Sequence, residues 1–373
     1  MGNMVKIDCI YYQGCKPCKF HKEDGRLCGN CKDYRKIEKK ILIIKLGALG
    51  DVLRTTSILP SLTKKYPNSV ITWVVNKNAL SLLQNNTYIY RKYVVEENYL
   101  EFILNEEFDV GICLDAEPLS ATILSLAKCN EKMGFIADSS GRVIPVNKEA
   151  EEWYLMGLND DLKNKNRKTY QKIISEICKL DMELERPQIF LDRESKRFAQ
   201  GFFDINNLRK YERLIGLNTG GGRRWLLKKW TVGNYIKLIK LLKNNCPHVG
   251  IMLFGGPEEI KFNRRIIKDA GNLIINAGCD NKILEFSGLI NLTDIFITPD
   301  SLGMNISIAL NNTTIVIVGP TSPWELDLFG NGVVIYNSDM ECIGCYREKC
   351  DKKVNCMNSI EPEKVLNAIK RYL

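Results

Sequence analysis

Histidine is nearly absent from this sequence. Of 373 residues only His21 and His248 are histidine, and neither stands near a glycine-rich turn or a strand-ending carboxylate, which excludes a Ser-His-Asp hydrolase. No uninterrupted apolar run approaches the ~18 residues that a membrane-crossing helix needs. The start lacks the basic, apolar and small-residue regions of a secretory signal. Together these absences give the expectation of a cytoplasmic chain that does not span a membrane. The glycine-containing turn Gly47-Ala48-Leu49-Gly50 lacks the Gly-Lys-Ser/Thr ending of a P-loop and the Gly-x-Gly-x-x-Gly spacing of a dinucleotide fingerprint.

That turn organises what is present. It follows Ile41-Leu42-Ile43-Ile44, an apolar run that reads as a buried strand, and opens a segment with helical spacing at Leu59, Leu62 and Tyr66. Strand, tight loop and helix N-terminus bring backbone amides up to a ligand. One carboxylate, Asp51, stands at the first turn. It is either an N-cap bonding a free N–H or a general base at the mouth of a cleft. The length predicts about two domains, and the apolar and charged fractions are those of a globular protein. A net charge of +9 suits an anionic partner: nucleotide, phosphorylated glycan, nucleic acid or membrane surface.

The 14 cysteines are unevenly placed. Cys9, Cys15, Cys18, Cys28 and Cys31 fall in the first residues, with paired Cys-x2-Cys knuckles at 15–18 and 28–31 and His21 as a spare ligand. Cys342, Cys345, Cys350 and Cys356 form a second cluster among Lys and Arg residues, with one such knuckle. In a cytoplasmic chain clustered thiols point to a tetrahedral metal site, structural zinc or iron, rather than to disulfides. Which four of the first five would bind stays open. Either site would be structural, because a catalytic one needs an open position. The remaining cysteines sit in apolar segments as small hydrophobes.

From Ile41 onward strand and helix patterns alternate, which implies parallel sheets covered on both faces. Val70 to Val75 and Asp109 to Asp115 read as strands, with a helix over 118–127. Residues 136–190 are polar and read as a surface loop, a helix over about 168–180 and a linker. Alternation restarts at Leu214 to Asn218, followed by Thr219-Gly220-Gly221-Gly222-Arg223-Arg224, Lys228-Lys229-Trp230 and a helix over 231–243. Small residues exposing N–H groups beside Lys or Arg make an anion-binding loop. Val249 to Phe254 leads to Glu258, which either accepts hydrogen bonds from ribose hydroxyls or serves as an acid in the first turn of a helix. Ile295 to Thr298 leads to Asp300-Ser301-Leu302-Gly303-Met304-Asn305, and Thr314 to Val318 to Gly319-Pro320-Thr321. Small, polar or charged residues thus end four successive strands, the edge at which such sheets bind ligands.

Taken together, Gly50-Asp51-Val52-Leu53, Asn218-Thr219-Gly220 with Lys228-Lys229-Trp230, Phe254-Gly255-Gly256-Pro257-Glu258, Asp300-Ser301 and Gly319-Pro320-Thr321 resemble, in order and spacing, the lipopolysaccharide heptosyltransferases of glycosyltransferase family 9. The resemblance covers about residues 41–370. It implies a GT-B fold, two Rossmann-like α/β domains facing across a cleft, with the Cys-rich segment as an N-terminal metal-binding extension. Expected boundaries are 1–40 for the extension, 41–190 for the acceptor domain, 191–340 for the nucleotide-sugar domain and 341–373 for the cysteine cluster with a closing helix. By matching positions Asp51 is the catalytic base and Lys228 meets the donor diphosphate. Thr219 and Gly220 line the phosphate loop, Glu258 holds ribose, and Asp300, Ser301, Gly303 and Met304 contact sugar or diphosphate.

The implied activity is inverting transfer of a sugar, heptose from ADP-heptose, to a hydroxyl of a bacterial glycan or lipopolysaccharide core, without a catalytic metal. A protein or peptide acceptor, or a non-catalytic module binding nucleotide sugar or nucleic acid through the cysteine knuckles, are the alternatives; nucleic acid is the less favoured partner. The expected location is the cytoplasm, with peripheral contact to the anionic inner face of the membrane. Two positions depart from the family pattern: Asn305 stands where it commonly has histidine, and Gly47 where serine is frequent.

Overall fold

The computed structural model describes residues 5–14, 16–97, 99–180, 185–222 and 226–373. Among them, two six-stranded sheets carry the architecture. The first contains β1 (Lys39–Ile44), β2 (Ser69–Val75), β3 (Ile89–Val94), β4 (Glu107–Cys113), β5 (Lys128–Ala137) and β6 (Val143–Pro145), in the order β3-β2-β1-β4-β5-β6. The second contains β7 (Arg213–Asn218), β8 (Val249–Phe254), β9 (Ile275–Asn276), β10 (Ile295–Pro299), β11 (Thr313–Ile317) and β12 (Gly332–Ile335), in the order β12-β11-β10-β7-β8-β9. Every pairing is parallel except β5 with β6.

Both sheets therefore follow the same Rossmann order. β1 lies between β2 and β4, and β7 between β8 and β10. The chain leaves each central strand in one direction and later returns on its other side, so the loops part and leave a crevice at the carboxyl ends. Central strands covered on both faces have to be apolar throughout. Ile41, Leu42, Ile43 and Ile44 are all fully buried, as are Ile215 and Leu217 of β7.

The helices begin where the sequence supplies a start. Pro118 occupies the first turn of Pro118–Leu126. The Thr231 side chain accepts from the Asn234 N–H at 3.1 Å to cap Val232–Asn245, and Ser301 caps Leu302–Ala309 through Met304. The closing helix, Pro362–Ile369, packs on Val232–Asn245, and Trp230 Nε1 donates to the Ile360 carbonyl at 3.0 Å.

Residues 136–190 hold more regular structure than their composition suggests: β6 turns back along β5, and helices span Lys148–Leu158, Asp160–Lys165 and Tyr170–Ile177. Helix Asp160–Lys165 buries none of its residues and is started by the Asn159 side chain, so no apolar period marks it. The two domains meet where helix Leu49–Thr55 packs on helix Leu302–Ala309. A Cβ at Gly50 would lie 2.7 Å from Asn305 Nδ2, so a larger residue there would have to displace the Asn305 amide.

Candidate active site

The carboxyl ends of the two sheets open onto one cleft of about 770 Å3, lined from the first domain by Asp51, Arg54 and Lys163 and from the second by residues that follow each of β7 to β12. Each wall is built at the point where strand order reverses. Asp51 follows β1, Lys228 follows β7, Glu258 follows β8 and Asp300 follows β10.

On the first wall Asp51 is not the N-cap. Ala48 holds that position without a side-chain bond, and Asp51 stands in the first turn of the helix. Three residues on, Arg54 Nη2 donates to Asp51 Oδ1 at 2.5 Å, since i and i+3 share a helix face. The Arg54 guanidinium carbon lies 4.0 Å from the centre of the Tyr170 ring, a cation–π stack. Beneath, Lys45 and Asp115 form a buried pair with side chains 4% and 7% exposed. Asp115 also accepts from the Leu46 N–H at 2.6 Å and from Ser120 Oγ at 3.2 Å. Burial pushes the Asp51 carboxyl up, but Arg54 and Lys45 pull it down further, and it ends below the usual carboxylate range.

On the second wall Lys228 Nζ donates to Asp300 Oδ2 at 2.7 Å, and Thr321 Oγ1 donates to the same oxygen at 2.9 Å. Asp300 is also held below its ordinary value: burial raises it, and Lys228 and then Arg54 lower it. Asn218, at the end of β7, knits the floor. Its Nδ2 donates to Thr298 Oγ1 and Ser301 Oγ, and its Oδ1 accepts from the Gly220 N–H. Lys229 turns the other way to Glu259 at 2.6 Å, and Glu259 Oε2 accepts from the Gly256 N–H at 3.0 Å. Adjacent lysines thus serve two loops.

The far end of the cleft is closed by a second crossing between the domains. Lys163 Nζ stands 3.5 Å from the centre of the Tyr346 ring, and Arg167 stacks on Trp324 at 3.8 Å. Tyr346 Oη donates to Glu325 Oε1 at 3.0 Å, and burial pushes the Glu325 carboxyl up.

Of the residues singled out in the sequence, Asp51, Gly220, Lys228, Glu258, Asp300, Ser301 and Gly303 all line this cleft. Thr219 and Met304 do not. Thr219 is fully buried, with its hydroxyl donating to Asn263 Oδ1 at 2.7 Å, and its N–H bonds Phe254 O. Met304 is 1% exposed and packs with Ile308, Val316 and Val318. Both alternate inward from neighbours that face the cleft. Arg223 and Arg224 lie outside the described residues. Arg54, Lys163, Glu325 and Tyr346 were not anticipated. Only Arg54 left a trace, its i, i+3 spacing from Asp51.

The cysteines occupy two separate places. Cys9, Cys18, Cys28 and Cys31 line one cavity of about 280 Å3 together with His21; Cys15 lies outside the described residues. Near the other end, burial and then Cys345, Cys342 and Cys350 push the Cys356 thiol up to about 11. Among the described residues no group of three or more His, Cys, Asp or Glu side chains is arranged to hold a metal ion, so the expected metal-binding character of the extension is not carried by its geometry.

A family model described as glycosyltransferase family 9 (heptosyltransferase) matches residues 100–355. The chain belongs to glycosyltransferase family 9. This family 9 transferase is 28% identical over 172 residues to lipooligosaccharide heptosyltransferase 2 of Campylobacter jejuni, a match covering 44% of the chain and 52%, about half, of that protein's length. It is 20% identical to the lipopolysaccharide core heptosyltransferase OpsX of Haemophilus influenzae over 91% of the chain and 98% of that protein. Its fold is similar to that of E. coli ADP-heptose LPS heptosyltransferase II, with a TM-score of 0.66 at 18% identity over 89% of the chain and 98% of that structure. Two parallel-sheet domains on either side of a cleft are the GT-B arrangement that the sequence motifs imply. No helix among the described residues is long and apolar enough to cross a membrane.

Proposed function

We propose that this family 9 transferase moves heptose from ADP-heptose to a hydroxyl of a lipopolysaccharide-type core acceptor, with inversion and in a single displacement. The reading rests on one observation above all: Asp51 on one wall and the Lys228–Asp300 pair on the other line the same crevice. Heptosyltransferase relatives of both kinds, lipooligosaccharide and lipopolysaccharide core, support the substrate class.

In the proposed step the acceptor oxygen attacks the anomeric carbon of the donor, the bond from that carbon to the diphosphate oxygen breaks, and ADP leaves with the electron pair. The acceptor proton passes to Asp51. Proton transfer late in the step needs no unusual basicity, so a carboxylate held ionised by Arg54 and Lys45 suffices. Lys228 leaves part of its pairing with Asp300 to meet the growing diphosphate charge, assisted by the N–H groups of the Gly220–Gly222 turn. Glu258 takes the ribose hydroxyls, while Ser301 and Gly303 border the sugar.

The deciding experiment is incubation with a panel of nucleotide sugars, read as thermal stabilisation and as ADP release with a core acceptor. ADP-heptose is expected to stabilise the protein and the others not. No stabilisation by any nucleotide sugar would end this reading. Lys228→Ala is expected to lower kcat on the order of 10²- to 10³-fold, as loss of one well-placed charge-stabilising donor does, measured by ADP release at saturating donor.

The cysteines are proposed to be structural. Cys9, Cys15, Cys18, Cys28 and Cys31 supply four thiolates to one metal ion, zinc or iron, and Cys342, Cys345, Cys350 and Cys356 supply four to another. Support comes from the Cys-x2-Cys spacings at 15–18, 28–31 and 342–345 and from the cavity shared by four of the first set. When bound, each ion would neutralise thiolates and fix a loop. Elemental analysis of the purified protein is expected to find bound metal that Cys28→Ser and Cys345→Ser each reduce; metal-free protein with an unchanged melting temperature would rule the sites out.

A further inference from the structure

Arg54 is the one cation among the described residues that touches Asp51 directly, and its surroundings do not resemble those of an arginine used as a structural clamp. Nη2 goes to Asp51 Oδ1. Nε is buried and has no hydrogen-bond partner among the described residues, although a structural guanidinium normally spreads its donors over several acceptors. The group is held instead by its face, on the ring of Tyr170.

Tyr170 is fixed in turn to the helix that carries both charged residues. Thr55 Oγ1 donates to the Asp51 carbonyl at 2.7 Å. Its single proton is thereby used, so the 3.1 Å contact between Tyr170 Oη and Thr55 Oγ1 has the tyrosine as donor. Ring, guanidinium and carboxylate are thus stacked in a fixed order on one turn of helix. The side chains of Arg54 and Asp51 remain 16% and 33% exposed, toward the cleft.

We infer that Arg54, seated on Tyr170, is a positioning residue that holds Asp51 Oδ1 and keeps the carboxylate ionised, leaving Oδ2 to take the acceptor proton. The inference rests on the reading of Asp51 as the base. The charged and titratable groups that act on Asp51 come from every element packed around it: Arg54 on its own helix, Lys45 at the end of β1, Tyr170 from helix Tyr170–Ile177, and Asp300 from across the cleft. Lys45 is already committed to Asp115. Asp300 opposes ionisation and is answered by Lys228. Arg54 is therefore the group whose removal changes the charge seen by Asp51 most.

The test is the pH dependence of kcat/KM for acceptor, measured on wild type, Arg54→Gln, Arg54→Lys and Asp51→Asn, with melting temperatures alongside. Removing an adjacent opposite charge raises a carboxyl by about one unit or more, so the acid limb of Arg54→Gln is expected to move up by about that much. Its kcat is expected to fall about 10-fold or more at the plateau, because the carboxylate loses the contact that orients it, with donor KM unchanged. Arg54→Lys is expected to hold the limb near its wild-type place, because charge and not shape sets it.

An acid limb that stays put in Arg54→Gln overturns the inference. So does a rise in acceptor KM alone, which would make Arg54 a substrate-binding residue. A Gln variant that melts early is replaced by the Lys variant, for which an upward limb would be equally fatal. If Asp51→Asn keeps both activity and limb, the base assignment fails first; if it loses both while Arg54→Gln matches wild type, only the positioning role of Arg54 fails.

Discussion

Asp51→Asn is expected to leave a folded protein that still takes up nucleotide sugar but transfers it about 10³-fold more slowly, the loss typical of a missing general base. The substitution is nearly isosteric. An amide oxygen can still accept from Arg54 Nη2, which in the native protein reaches Asp51 Oδ1 at 2.5 Å, and the carbonyl that accepts from Thr55 is unaffected. What disappears is the ability to take a proton. On the proposed reading the donor is held by the opposite wall, by Lys228, Glu258 and the glycine turn, so thermal stabilisation by ADP-heptose should survive. ADP release with and without acceptor separates the two effects. A variant that retains more than a tenth of wild-type turnover would remove Asp51 from the chemistry.

The second large effect concerns stability. Asp115→Ala is expected to destabilise the first domain by about 3–5 kcal/mol, the penalty for stranding one member of a buried ion pair. Lys45, 3% exposed, would lose its carboxylate in an apolar sheet core, and the Leu46 N–H and Ser120 hydroxyl would lose their acceptor. Urea unfolding followed by tryptophan fluorescence measures this directly, since Trp73 is buried in the same sheet and its Nε1 donates to the Lys45 carbonyl at 3.3 Å. Combining Asp115→Leu with Lys45→Met should restore the part of the loss that comes from the stranded ammonium, while the Leu46 N–H and the Ser120 hydroxyl still lack their acceptor. A double variant no more stable than the single one would mean that the pair is not the source of the effect.

Much of the sheet frame was legible because buried parallel strands advertise themselves as unbroken apolar runs. Ile41–Ile44, Val249–Phe254 and the strand before Asp300 stand where the pattern places them. The strand-end residues were legible for a related reason: a charged or glycine-rich tail on such a run has few places to go except the sheet edge. Less could be read where burial leaves no period. Helix Asp160–Lys165 is polar all round, yet it leads to the cation–π contacts that Lys163 and Arg167 make across the cleft. Nor does sequence tell neighbours apart at a turn. Lys228 and Lys229 are chemically alike, but one reaches Asp300 and the other Glu259. Thr219 and Met304 sit beside cleft residues and point into the protein, a choice made by side-chain packing that a linear motif does not record.

The matched strand order of the two halves has a bearing on how such an enzyme can diversify. Since each binding segment is an appendage hung from the rim of its own layered stack of strands and helices, insertions or exchanges there reshape only the gap between the halves. The interior of either half need not be repacked to accommodate them. A different sugar or a different recipient can thus be accepted by editing a handful of rim positions, while the packed interiors are inherited intact.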